Sequence, residues 1–83
     1  MYYVYLLKST DGKRYIGFTS DLRRRLKEHN TNSGNYTRGR KWKLVYYEAY
    51  LSKKDALRRE KALKDGRARY QLFNRIEDSL KEV

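Results

Sequence analysis

The sequence predicts an α+β domain in which helices pack against a small antiparallel sheet. Three observations carry that reading. Residues 2–8 and 13–18 are two runs of β-branched and aromatic side chains around an Asp11-Gly12 turn signal, the pattern of a β-hairpin. A third strand-like run, WKLVYYEAY, occupies 42–50. The other periodic segments repeat their apolar residues at helical spacing, which gives the order β-β-α-β-α-α.

The hairpin can close in two ways. A two-residue Asp11-Gly12 loop sets Leu7 opposite Ile16 and sends Tyr5 and Tyr15 to opposite faces. A three-residue loop, Thr10-Asp11-Gly12 with Gly12 left-handed, gathers Val4, Leu6, Ile16 and Phe18 on one face and Tyr5, Leu7, Tyr15 and Gly17 on the other. A one-residue slip flips every side chain, and the cleaner segregation of apolar groups favours the longer loop. Both tyrosines then share a face, and Gly17 is expected to leave open space beside them.

Residues 20–30 read as a helix with Ser20 as N-cap, Asp21 complementing its positive end, and a narrow apolar stripe of Leu22 and Leu26. Arg25 and His29 border that stripe, whereas Arg23, Arg24 and Lys27 point elsewhere. The polar stretch TNSGNYTRGRK at 31–41 is the long loop. Ser52-Lys53-Lys54-Asp55 matches a capping box, with Asp in place of Glu or Gln, opening a second helix that stops near Gly66. A third helix over about 68–81 presents Leu72, Phe73, Ile76 and Leu80 on one side.

The chain of 83 residues is expected to be a single domain spanning 1–83. A domain of this size buries only roughly 60% of the surface its unfolded chain exposes, so the core must be thin. No cysteine is present, which excludes disulfides, thiolate chemistry and cysteine-type zinc sites, and the single histidine excludes His-rich metal centres. The start, MYYVYLLKS, is too short an apolar run for a signal peptide or a membrane span, so a cytoplasmic protein is expected. Twenty-one Lys and Arg against ten Asp and Glu leave a net charge of +11, a field that favours nucleic acid. No helix pairs a basic face with a broad bulky-apolar one, which argues against a membrane surface.

Several residues stand out for chemistry. Glu60 falls on the helical arc of Ala56, Leu57 and Leu63, and a carboxylate facing a core needs a partner: an arginine or a metal ion. Arg25, beside an apolar stripe, is either a solvated surface charge or a rigid two-pronged grip on a phosphate. His29 either assists there or is a hydrogen-bonded edge residue. Tyr5 and Tyr15 differ from ordinary packing tyrosines by sharing a face. Tyr36, Trp42, Tyr46, Tyr47 and Tyr50 serve either the core or base stacking, with the core favoured for most. Arg38, Arg40 and Lys41 form a phosphate-contact patch of low specificity.

Tyr3-Val4-Tyr5 and Tyr15-Ile16-Gly17, with YVYLLKSTDGKRYIGFTSDLRRRLKEHN as a whole and YYEAYLSKKDALRREKALK, resemble the GIY-YIG nuclease superfamily over roughly Tyr2 to Leu80. The chain is most similar to small stand-alone members related to the N-terminal endonuclease domain of an excinuclease. Tyr3 stands where the first motif usually begins with glycine. The resemblance implies a three-stranded antiparallel sheet flanked by helices and one divalent metal, Mg²⁺ or Mn²⁺, with Glu60 as its protein ligand. It implies Tyr5 as, or positioning, the general base, Arg25 on the scissile phosphate, and Tyr15 orienting phosphate or nucleophile. Asn74 is the candidate for an asparagine that some members carry after the glutamate. The expected activity is metal-dependent hydrolysis of DNA phosphodiester bonds with weak sequence preference, structure-specific in repair or recombination, any further specificity coming from a protein partner. The competing reading is a nucleic-acid-binding module that keeps the fold and cuts poorly or not at all.

Overall fold

The computed structural model describes residues 1–31 and 39–82. Strands β1 (Tyr2–Ser9), β2 (Arg14–Thr19) and β3 (Trp42–Tyr50) form an antiparallel sheet in the order β2-β1-β3. Helix α1 (Leu22–Asn30) joins β2 to β3, and α2 (Lys53–Leu63), α3 (Gly66–Arg75) and α4 (Glu77–Lys81) follow. Among the described residues no helix is long and apolar enough to cross a membrane.

The hairpin closes through the three-residue loop. Ser9 N–H donates to Lys13 O at 2.9 Å, Gly12 N–H donates to Ser9 O at 3.1 Å, and Gly12 has φ +86°. Leu7 therefore pairs with Tyr15 and Tyr5 with Gly17. The register splits the apolar residues into two cores. Val4, Leu6 and Ile16 bury against Ala56 and Leu63 of α2 and the row Leu72, Ile76 and Leu80. Tyr5, Leu7 and Trp42 bury on the other face with Tyr15, Leu22, Leu26 and Leu44.

A β-bulge completes this division. Leu6 pairs with Tyr46 but Leu7 pairs with Leu44, so Val45 is the extra residue. The bulge switches the parity of β3. Tyr46 and Tyr50 pack on the α2 side, yet the even-numbered Trp42 and Leu44 pack on the α1 side. The Asn30 side chain then ties the end of α1 to β3: Trp42 N–H donates to Asn30 Oδ1 at 2.7 Å, and Asn30 Nδ2 donates to Trp42 O at 3.1 Å.

The helix ends differ from expectation. The cap of α1 is Asp21, not Ser20: Asp21 is extended (φ −145°, ψ 95°) and its carboxylate accepts Arg24 N–H at 3.1 Å. The Thr19 hydroxyl, which accepts Asp21 N–H at 3.0 Å, delays the helix by one residue. Ser52 occupies the N-cap of α2 without a side-chain bond, and Asp55 pairs instead with Arg58 at 3.1 Å, so no capping box forms. Leu57 is 41% exposed and off the buried face. The single helix expected over 68–81 begins at Gly66 and breaks at Ile76 (φ −110°, ψ 27°). Ile76 N–H still donates to Leu72 O and Leu80 N–H to Ile76 O, both at 3.0 Å, which keeps the apolar row continuous across the break.

Glu48 of β3 joins the sheet to α2. It accepts two bonds from Arg59 Nε (2.9 and 3.2 Å) and one from Nη2 (3.0 Å), with the Tyr46 hydroxyl at 2.6 Å and the Tyr50 hydroxyl also bonded. Burial pushes its carboxyl up, but the bonds from Arg59, Tyr46 and Tyr50 outweigh burial and hold it below the usual range. Glu48→Gln removes the charge that Arg59 grips. A loss of about 2 kcal/mol is expected, the value of hydrogen bonds to a charged group, which lowers the midpoint of thermal unfolding by circular dichroism by roughly 10 °C.

Candidate active site

Hairpin and α1 together build a cluster of rings on the α1 face of the sheet. Tyr5 and Tyr15 lie 6.3 Å apart between ring centroids, and Tyr15 meets His29 edge-on at 4.9 Å. Trp42, delivered by the bulge, closes the group at 6.3 Å from Tyr15. Tyr5 and His29 are almost wholly buried, at 2% and 1% exposure, which makes their polar atoms depend on each other. The Tyr5 hydroxyl lies 2.8 Å from His29 Nε2. Arg25, one turn before His29, also hydrogen-bonds the Tyr5 oxygen while pairing with Glu28 at 2.9 Å. A guanidinium only donates. The Tyr5 oxygen thus has two nitrogen partners, and the His29 tautomer sets which of Tyr5 and His29 donates in the bond between them.

Gly17 is the residue that makes room for this arrangement. The space expected beside it is filled by Tyr5 itself. A Cβ at position 17 would overlap the Tyr5 hydroxyl and ring carbon Cζ and come within 2.9 Å of Tyr15 Cε2. The Tyr5 ring thus lies directly over a bare backbone.

The electrostatics hold Tyr5 neutral. Burial first, and then the Tyr15 phenol, raise its pKa to about 12, and the hydrogen bond and charge of Arg25 only partly offset them. Glu60 acts on Tyr5 in the raising direction as well, which marks the carboxylate as close enough to be felt. His29 is held below its ordinary value, by burial and then by the Arg25 charge.

Glu60 sits on α2, half-buried between Ala56 and Leu63, and pairs with Lys64 at 3.3 Å. Its partner is a lysine one turn along the same helix, not an arginine from elsewhere. Among the described residues no group of three or more His, Cys, Asp or Glu side chains could enclose a metal ion. A single hard-oxygen donor such as Glu60 nevertheless fits Mg²⁺, which keeps most of its waters and is commonly held by one or two carboxylates plus substrate phosphate.

The structure therefore brings Tyr5, Tyr15, Arg25 and His29 into contact and places Glu60 within electrostatic reach. The remaining candidates lie apart. Arg40 pairs with Asp11 at 3.2 Å, beside the hairpin loop, and Lys41 is exposed with its carbonyl accepting Thr10 N–H at 3.2 Å. Arg38 and Tyr36 lie outside the described residues. Asn74 is exposed on α3 and borders a separate depression with Lys8, Glu77 and Lys81. Of the aromatic candidates, Trp42 is core, Tyr46 and Tyr50 serve Glu48, and Tyr47 is exposed with its ring edge-on to Tyr3 at 5.9 Å. Sequence reasoning passes over Asn30 and Glu48, because both act on partners remote in the chain.

An α+β domain with paired strand tyrosines, a helix-borne arginine and a lone carboxylate defines a nuclease-like scaffold, and comparison with known proteins agrees. The family model described as "GIY-YIG catalytic domain" matches residues 1–74, and the chain belongs to the GIY-YIG family. It is 48% identical over 64 residues to a UPF0213 protein of Streptococcus agalactiae serotype V, covering 75% of this chain and 73% of that one. A UPF0213 protein of Halobacterium salinarum is 44% identical over 66 residues, covering 77% and 86%. The solution NMR structure of a UPF0213 protein from Bacillus halodurans is similar in fold with a TM-score of 0.56 and 42% identity, covering 89% of this chain and 84% of that one. GIY-YIG domains are endonuclease domains and in general depend on a divalent metal.

Two outcomes follow from this packing. Gly17→Ala forces Tyr5 off its seat and is expected to destabilise the fold by about 1–3 kcal/mol in urea unfolding, the range for an overpacked core. His29 supplies the second. Below pH ~6.5 the unfolded chain takes up a proton at His29 that the native state refuses, so stability falls as pH drops through that value. The thermal midpoint should decline between pH 7 and pH 5, and His29→Gln should flatten that decline.

Proposed function

We propose that this protein is an endonuclease that uses a divalent metal to hydrolyse DNA phosphodiester bonds with weak sequence preference. The observation that carries the reading is the Tyr5 hydroxyl, which bonds both His29 and Arg25 and feels the charge of Glu60. A purely structural tyrosine has no use for an arginine at its hydroxyl.

The chemistry follows from those contacts. A phenol held near pKa 12 is a poor base at neutral pH unless its own proton has somewhere to go. His29 Nε2, 2.8 Å away and kept neutral by burial, is that acceptor. As Tyr5 takes a proton from the attacking water, it passes its own to His29. Arg25 is half-buried and held rigid by Glu28, so it meets a phosphate with its geometry already set and stabilises the negative charge growing on the phosphoryl oxygens. Tyr15, packed against His29, orients the phosphate or the nucleophile. Glu60 would hold the cation, Mg²⁺ or Mn²⁺, and what that cation supplies when bound is Lewis-acid charge that acidifies water and neutralises phosphate oxygens.

The net charge of +11 supplies affinity for the DNA backbone without reading bases. Specificity then derives from DNA structure or from a protein partner, a role suited to repair or recombination in the cytoplasm.

The test is cleavage of single-stranded, duplex, flap and branched DNA with Mg²⁺, Mn²⁺ or EDTA, comparing native protein with Glu60→Gln at matched DNA binding. Metal-dependent cutting should fall by at least about 100-fold in the variant, as expected on losing a group aimed at the transition state. Tight binding with no cutting under any metal would instead assign a nucleic-acid-binding module of the same fold.

A further inference from the structure

Next to the tyrosine pair, β2, α3 and the C-cap of α2, Lys64, enclose a groove of about 500 Å³ lined by Arg14, Tyr15, Ile16, Lys64, Arg69 and Phe73. Its size falls within the range of about 300–1,000 Å³ typical of small-ligand sites. Ile16 and Phe73 supply apolar surface, and the Arg14 guanidinium lies over the Phe73 ring at 4.7 Å. Three of the six lining side chains are cations and none is acidic. Lys64 pairs with Glu60, but neither Arg14 nor Arg69 pairs with a carboxylate among the described residues. The groove also adjoins the candidate active site: Tyr15 lines both, and Lys64 bonds Glu60 at 3.3 Å.

We propose that this groove binds one unpaired nucleotide of the substrate strand beside the scissile phosphate, its base stacked at Phe73 and Arg14 and its phosphate held by Arg69 and Lys64. The proposal rests on the nuclease reading of the adjoining site. An aromatic face with a planar guanidinium suits any base, because every base has a π-face, and the paired cations suit the phosphate attached to it. A base inside an uninterrupted duplex has both faces covered by its neighbours and cannot enter. The groove therefore selects DNA with a flap, gap or frayed end over continuous duplex, by shape and not by sequence.

The test is fluorescence anisotropy in EDTA, where no cutting is read. One probe is a hairpin duplex with a three-nucleotide single-stranded tail whose first unpaired base is 2-aminopurine. The other is a blunt hairpin with the same number of phosphates. Native protein should bind the tailed DNA about tenfold more tightly and quench the 2-aminopurine, in line with base stacking on one aromatic. Phe73→Leu keeps the apolar bulk that packs on the core, and Arg14→Gln changes an exposed side chain. Each should cut the preference to about twofold or less and relieve the quenching, with blunt-duplex affinity unchanged within about twofold. Equal binding of the two DNAs by native protein, or a preference and quenching that survive both variants, would overturn the proposal. Because no cleavage is measured, failure here is separate from failure of the nuclease reading: a protein that cuts can fail this test, and one that never cuts can pass it.

Discussion

The Tyr5 ring lies on the bare backbone of Gly17, and everything around the candidate active site depends on that contact. It exists because the three-residue Thr10-Asp11-Gly12 loop pairs Tyr5 with Gly17. With one residue fewer in the loop, Tyr5 and Tyr15 would face opposite sides of the sheet. In the register adopted, the phenol is buried deeply enough to raise its pKa to about 12, and its hydroxyl is brought to His29 and Arg25. Backbone geometry, not the chemistry of the side chain alone, sets the surroundings of this tyrosine.

The second constraint is that the candidate residues come from helices on different faces of one thin sheet. Helix α1 carries Arg25 and His29 over the Tyr5 face, while α2 carries Glu60 and packs its Ala56 and Leu63 against Val4, Leu6 and Ile16. With so small a core, polar staples position the helices. Asn30 ties the end of α1 to Trp42 of β3, and Glu48 grips Arg59, the neighbour of Glu60. The bulge at Val45 lets one strand serve both faces, sending Trp42 to the tyrosines and Glu48 to α2.

Much of this is legible in the sequence wherever the signal is local. The segregation of Val4, Leu6 and Ile16 from Tyr5, Leu7 and Tyr15 selects the hairpin register, and the third strand is readable over its full 42–50 span. Glu60 stands out because a carboxylate on an apolar arc is costly. What escapes is what depends on distant partners. The bulge arises from pairing between β1 and β3. The cap shifts from Ser20 to Asp21 because the Thr19 hydroxyl turns the chain first, and the apolar row 72-76-80 is the same whether its helix is continuous or broken at Ile76. The Lys64 partner of Glu60 is equally hidden, since a chain this basic offers that carboxylate many cations.

If His29 takes the proton of Tyr5, a high-pKa phenol becomes a working base, and the proposed chemistry stands or falls on that transfer. Single-turnover DNA cleavage by native protein and His29→Gln, each followed from pH 6 to pH 9, tests it most directly. The variant is expected to be slower by about 100-fold or more at pH 7, within the range for losing a general acid–base partner. Its rate should then climb about tenfold per pH unit, because Tyr5 must ionise unaided, while the native rate levels off once His29 is neutral. A variant that cuts at the native rate with the native pH profile would contradict the relay.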